Sequence, residues 1–113
     1  MLIKKSDAKK AINYKDCIVW EYVFPSKGLS FATALISGRY PARKRAINLK
    51  CEEIYFVISG SGEVHSEKGD FKISEGDLYF FEKGEPYWVE GGSLRLALIN
   101  APRWTPEQHK IVD

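Results

Sequence analysis

The sequence predicts an all-β fold, an antiparallel sandwich or small barrel. Three observations carry that expectation. Short runs of β-branched and aromatic residues recur, separated by Gly, Pro, Asp and Ser clusters about every 8 to 12 residues. No segment holds the 3.6-residue apolar period of a long helix. Apolar residues at 44% and aromatics at 13% are enough for one core and too many for a disordered chain. One domain over residues 1–113 is expected, with the barrel core at about 17–100 and a tail at 101–113.

In chain order, an edge strand is expected at Leu2–Lys4, then a polar loop to residue 16 with at most one turn of helix. Cys17–Phe24 is the first clear strand, with Trp20, Tyr22 and Phe24 on one face and Val19, Glu21 and Val23 on the other. Pro25–Gly28 turns the chain into a strand at Leu29–Ser37, which Gly38 ends. Arg39–Arg45 reads as an exposed loop and residues 46–51 as a short extended piece. The strand Ile54–Ile58 is apolar on both parities, as when both faces are covered. Ser59-Gly60-Ser61-Gly62 then reads as a tight hairpin, with the return at Glu63–Glu67.

Lys68-Gly69-Asp70 and Glu75-Gly76-Asp77 bracket a short strand at Phe71–Ile73. Leu78–Phe81 is a buried strand, Pro86–Val89 another, and Gly91-Gly92 turns into the last strand, Leu94–Ile99. In the tail, Thr105 as N-cap, Pro106 at the first helical position and Gln108 in a capping box predict about two helical turns.

Seventeen basic against fifteen acidic side chains leave a net charge of +2, which supplies no footprint for nucleic acid. Two cysteines, Cys17 and Cys51, are too few for a disulfide framework or a zinc knuckle and suit reduced thiols in the cytoplasm. Met1–Lys10 has lysines with no apolar run after them, and no segment is long and apolar enough to span a membrane. A cytoplasmic, soluble protein is expected, with no membrane and no nucleic-acid partner.

Glu53 heads the Ile54–Ile58 strand, and Gly60 follows it with six residues between. Further on, Gly76, Gly84 and Tyr87 keep a second fixed spacing, with Glu82 where a Pro would be usual. Over roughly residues 29–99 these motifs resemble the small single-domain cupins. The resemblance implies a jelly-roll β-barrel of two antiparallel sheets, here with a short C-terminal helical turn. It also implies a metal site of three His and one Glu. In this sequence the His positions fall on Ala46, Asn48 and Tyr87, so only Glu53 remains as a strong ligand. The loop after Gly38 is also about two residues longer than the usual motif. The resemblance therefore implies a cupin without the metal-binding histidines and without a cofactor, a residual metal at Glu53 and Asn48 staying open. Gly38-Arg39-Tyr40-Pro41, Asn48-x-x-Cys51-x-Glu53 and Trp104–Lys110 further resemble a subgroup of small cupins, a likeness that supplies no activity.

In that frame Asn48, Glu53, Tyr55 and Tyr87 point into the barrel. An amide, a carboxylate and phenols converging in an apolar cup describe a site for a small polar molecule. Burial raises the pKa of Glu53 unless a hydrogen bond from Asn48 or Tyr87 offsets it, and a raised carboxyl serves as general acid or base near neutral pH. Glu53 and Tyr87 are thus the catalytic candidates. Asn48, Tyr55, Cys51, His65, Trp88 and Arg39 are the ligand-binding candidates. Arg39 leads the basic run through Arg43, Lys44, Arg45 and Lys50, which suits a phosphate or carboxylate at the barrel mouth or simply a solvated loop. Cys51 has no nearby base and suits packing, and His65 suits either the cup or the surface.

Three functions follow. The first is a metal-free binder of a small polar, carbohydrate-like ligand, acting as sensor or as isomerase or epimerase. The second is a metal-dependent isomerase, epimerase or oxygenase with an atypical ligand set. The third is a regulatory or structural domain with no chemistry. The aromatic stripe Trp20, Tyr22 and Phe24 and the two-sided strand at 54–58 exceed what one small barrel covers, so a homodimer is expected.

Overall fold

The computed structural model describes all of residues 1–113. Nine strands form one antiparallel sheet that curls into a half-barrel. They are β1 Lys9–Tyr14, β2 Cys17–Tyr22, β3 Ser30–Tyr40, β4 Arg45–Asn48, β5 Glu52–Ser66, β6 Gly69–Ser74, β7 Leu78–Phe81, β8 Tyr87–Ala101 and β9 His109–Val112. Single 3-10 turns lie at Lys5–Asp7 and Pro106–Gln108. The long strand β8 is the spine: β3 and β4 pair along one edge and β5 along the other. Strands β6 and β7 then pair with the two halves of β5.

The two glycine stretches do not turn the chain. Both β5 and β8 continue as strand through them for 15 residues each, and the hairpin forms later, at Glu67–Lys68. The pairing of β5 with β8 instead slips at two points, between Val57 and Ser61. Gly60 sits there with φ of +82°. A glycine inside a strand marks a bulge or a close backbone approach. Gly38, Gly91 and Gly62 stand side by side on β3, β8 and β5. A Cβ at Gly62 would collide with the carbonyl oxygen of Glu90. This glycine row is the crease where three strands bend together.

The N-terminal strand is β1, not Leu2–Lys4, and it pairs with β2. The tail also departs from expectation. Thr105 makes no side-chain cap, the helix stops after one 3-10 turn, and His109–Val112 becomes β9. It pairs with β4, placing His109 beside Asn48 and Ile111 beside Ala46. β-Branched Ile111 and Val112 favour that pairing, which covers the open edge of β4.

The inner face of the curled sheet is the core, with Val57, Val64, Val89, Leu94 and Leu96 at 1% exposure or less. The outer face carries two apolar rows across five strands. Phe80, Ile54, Ile99, Phe31 and Tyr22 make one row; Leu78, Phe56, Ala97, Thr33 and Trp20 make the next. Phe56, Ile58, Leu78 and Phe80 are exposed.

Candidate functional site

Alternation along β5 turns Glu53, Tyr55 and Val57 inward, and all three are buried. Strand β8 adds Tyr87 and Asn100, β3 adds Tyr40, and β9 adds His109. These side chains form the polar end of a cavity of about 160 Å³ whose remaining walls are mainly apolar. This is the cup that the sequence anticipates at Glu53, Tyr55 and Tyr87, with Asn48 directly behind Glu53.

Asn48 organises the polar end. Its Oδ1 accepts from Trp104 Nε1 at 3.2 Å, Gln108 Nε2 at 3.0 Å and His109 Nδ1 at 2.9 Å. Indole nitrogen only donates, so this atom of Asn48 is the oxygen and the other is the amide nitrogen. Asn48 Nδ2 therefore donates to Glu53 Oε1, at 3.1 Å. The same argument fixes His109: with Nδ1–H donating to Asn48, Nε2 is left to accept the Tyr40 hydroxyl at 2.8 Å. Burial lowers the His109 pKa, in keeping with a neutral ring.

Glu53 is buried, and loss of hydration pushes its pKa up to about 7; the Asn100 and Asn48 amides pull it back part of the way. Asn48 bonds it outright. Asn100 only leans toward it: Asn100 is 5% exposed, yet its Nδ2 has no hydrogen-bond partner. Tyr55 donates to the Tyr87 hydroxyl at 3.3 Å, leaving the Tyr87 proton free for the cup. Desolvation raises both phenols well above their usual range, so they stay protonated.

The remaining candidates lie elsewhere. Arg39, His65 and Trp88 are on the outer face, because Tyr40, Val64 and Val89 take the inward places beside them. Arg39 stacks over Trp88 at 3.9 Å and bonds the carbonyls of Pro41 and Lys44. His65 stacks on Trp88 at 3.8 Å and contacts Asp70 and Glu90. Cys51 is buried with its thiol toward the Pro102 carbonyl, outside the cup. The basic run does not meet the cup either: Arg45 bonds the Asp113 carbonyl and Lys44 pairs with its carboxylate, clasping the tail.

Tyr40, Asn100, Trp104, Gln108 and His109 are site residues that the candidate set lacks. One signal for them was present, since Trp104–Lys110 and Asn48–Glu53 belong to the same subgroup pattern.

Solved structures superpose on the whole chain. Pac13, a nucleoside dehydratase studied from Streptomyces, matches with a TM-score of 0.88 over 99% of this chain and 90% of its own, at 14% identity. Ectoine synthase from P. lautus matches with a TM-score of 0.76 over 100% and 91%, at 21% identity. One third of oxalate decarboxylase from B. subtilis, 31% of that chain, matches 96% of this one with a TM-score of 0.79 at 21% identity. The fold is the cupin jelly roll. At these identities the likeness establishes the cupin fold alone. No family model matches the sequence, and no curated protein does. Within the cupin frame the cup offers one carboxylate, amides, phenols and an imidazole whose two nitrogens are already engaged. That donor set does not fit a multi-histidine transition-metal site.

Proposed function

We propose that the cup binds a small polar ligand without a transition metal. The observation that carries this reading is Asn100 Nδ2, a buried amide donor with no partner, beside Glu53 and facing the cavity. An unpaired buried donor costs about 1–3 kcal/mol, a cost that a ligand acceptor removes. The Tyr87 hydroxyl supplies a second donor and Glu53 an acceptor. Such a ligand is carbohydrate-like in its hydroxyls; uridine, present in solved variants of the Streptomyces protein, is one example. Glu53, with a pKa near 7, can take or give a proton at neutral pH, while Tyr87 remains a donor. These are the groups that a metal-free isomerase or epimerase uses.

Titration calorimetry with uridine and a panel of pentoses and hexoses tests this. At least one is expected to bind, and Asn100→Leu is expected to weaken it about tenfold or more. The same substitution should raise the melting temperature of the free protein by removing the unpaired amide. Affinity unchanged in both Asn100→Leu and Glu53→Gln overturns the reading.

The outer rows support a homodimer in the same proposal. Their charge is confined to the Trp20 end, where Lys10 and Arg95 lie, and stacking two copies face to face covers Phe56, Leu78 and Phe80 on both. Sedimentation should give twice the 12.9 kDa of the chain, and Phe56→Glu should give the single mass. A single mass for the wild type at micromolar concentration defeats the dimer. No helix is long and apolar enough to cross a membrane. Cytoplasmic location, suggested by two free cysteines, and the absence of a nucleic-acid partner complete the proposal.

A further inference from the structure

Beyond the crease, on the outer face of the sheet, Glu63, His65 and Glu90 each offer one metal-binding atom, the three lying within 4.8 Å of one another. We propose that these three side chains bind a divalent first-row cation such as zinc, at a site separate from the cup and with one coordination position left open.

The sheet register creates the site. Glu63 on β5 stands directly opposite Glu90 on β8, and His65 directly opposite Trp88. Two carboxylates paired on one face of a sheet repel unless a cation lies between them. His65 answers Glu90 but not Glu63, and the other neighbouring cations do not lie between the two acids. Lys72 is opposite Glu63 and Arg39 opposite Glu90, yet neither bridges to its acid, and Arg39 is turned to the Pro41 and Lys44 carbonyls. Glu63 is half-buried and has neither a hydrogen bond nor an ion pair of its own.

His65 is held for the task from two sides. Its ring lies 3.8 Å from the Trp88 ring and nearly parallel to it, at 15°. Asp70, which is not one of the three ligands, contacts Nδ1 at 2.5 Å. A carboxylate accepting the Nδ1 proton fixes the tautomer that presents the Nε2 lone pair, the usual support for a metal-bound imidazole. Nε2 lies 2.8 Å from Glu90 Oε2. In the free protein a proton occupies that contact; loading the metal sends it to solvent. Ligand atoms about 2.0–2.2 Å from a tetrahedral metal are about 3.4 Å apart, so the 2.8 Å His65–Glu90 contact has to open by about half an ångström, and Glu63, within 4.8 Å of both, closes on the metal by a side-chain rotation. Access needs no rearrangement, because Glu90 keeps 48% of its side chain exposed and an open groove on the outer face runs past Glu63 and Glu90. One imidazole with two carboxylates suits zinc and its first-row neighbours better than calcium, which takes oxygen alone.

Equilibrium dialysis of the full chain against zinc, read by elemental analysis, tests the site, with cobalt absorption as an optical check. The wild type and Glu53→Gln are each expected to hold about one equivalent. His65→Gln and Glu90→Gln, checked for fold by circular dichroism, are expected to lose affinity about tenfold or more. A wild type that holds no stoichiometric zinc overturns the proposal. So does zinc that survives both outer-face substitutions, or zinc that Glu53→Gln removes, which would place the metal in the cup.

Discussion

Asn48→Ala is expected to destabilise the protein by about 3–5 kcal/mol, the largest effect of any single polar substitution here. Asn48 is 3% exposed and satisfies four groups at once: Glu53 from its nitrogen, and Trp104, Gln108 and His109 at its oxygen. Truncation leaves all four without that partner, in a site where Gln108 and Glu53 are themselves buried. It also frees His109 to take either tautomer, so the Tyr40 contact loses its fixed direction. Chemical denaturation gives the number. A loss under about 1 kcal/mol would show that water replaces the amide and that Asn48 is not the organiser.

The stability of the wild type is expected to fall between about pH 4.5 and pH 7 by an amount that Glu53→Gln abolishes. Glu53 holds its proton to about pH 7 in the folded state and to about 4.5 when unfolded. Below 4.5 both states are protonated and nothing is lost. Between 4.5 and 7 the folded state binds the extra proton, so unfolding becomes easier as pH rises. The full difference is about 3 kcal/mol, which is on the order of 10 °C in melting temperature for a domain of this size. His109, whose pKa burial lowers, acts in the opposite sense, and His65, lowered by burial but raised further by its Asp70 and Glu90 contacts and the nearby acids, in the same sense. Both are common to wild type and variant, so the difference between the two pH profiles isolates Glu53. Parallel profiles would mean that the carboxyl is not desolvated.

The period-two signal explains both the successes and the misses in the sequence. Strands at Cys17–Phe24, which ends at Tyr22, and Leu78–Phe81 were legible because each alternates or is wholly apolar with clear turns around it, but burial of the second was not borne out, since Leu78 and Phe80 are exposed. Glu53, Tyr55 and Val57 were legible as one inward face for the same reason. His65 stayed open between cup and surface: counting by twos from Val57 turns it inward, yet Val64 is the buried residue and His65 is outside. The slips between Val57 and Ser61 shift the parity by one and reverse the faces. Strand β8 does the same across Gly91-Gly92, from Tyr87 and Val89 inward to Leu94 and Leu96 inward. That reversal puts Asn100 in the cup, whereas Trp88 is outside by plain alternation between Tyr87 and Val89. Glycines at a crease shared by three strands look like hairpin glycines, because the other two strands are absent from a local window. His109 was out of reach for another reason: its bond to Asn48 spans 61 positions, and the short tail after Pro106 has helical signals of its own.

Strand β9 pairs with β4 alone, and β4 meets β8 at a single pair, Ala46 with Tyr87. The ribbon of β4 and β9 is thus only lightly stitched to the sheet: Asn48 to Glu53, His109 to Tyr40 and the Gly84 N–H to the Asn48 carbonyl fasten it, while Gln108 ties β4 to the tail within the ribbon itself. Such a ribbon can detach as a unit of its own, well short of global unfolding. A molecule in the cup need not wait for the barrel to come apart in order to leave. Its residence time would be governed by how often Asn48 lets go of Glu53 and His109 of Tyr40.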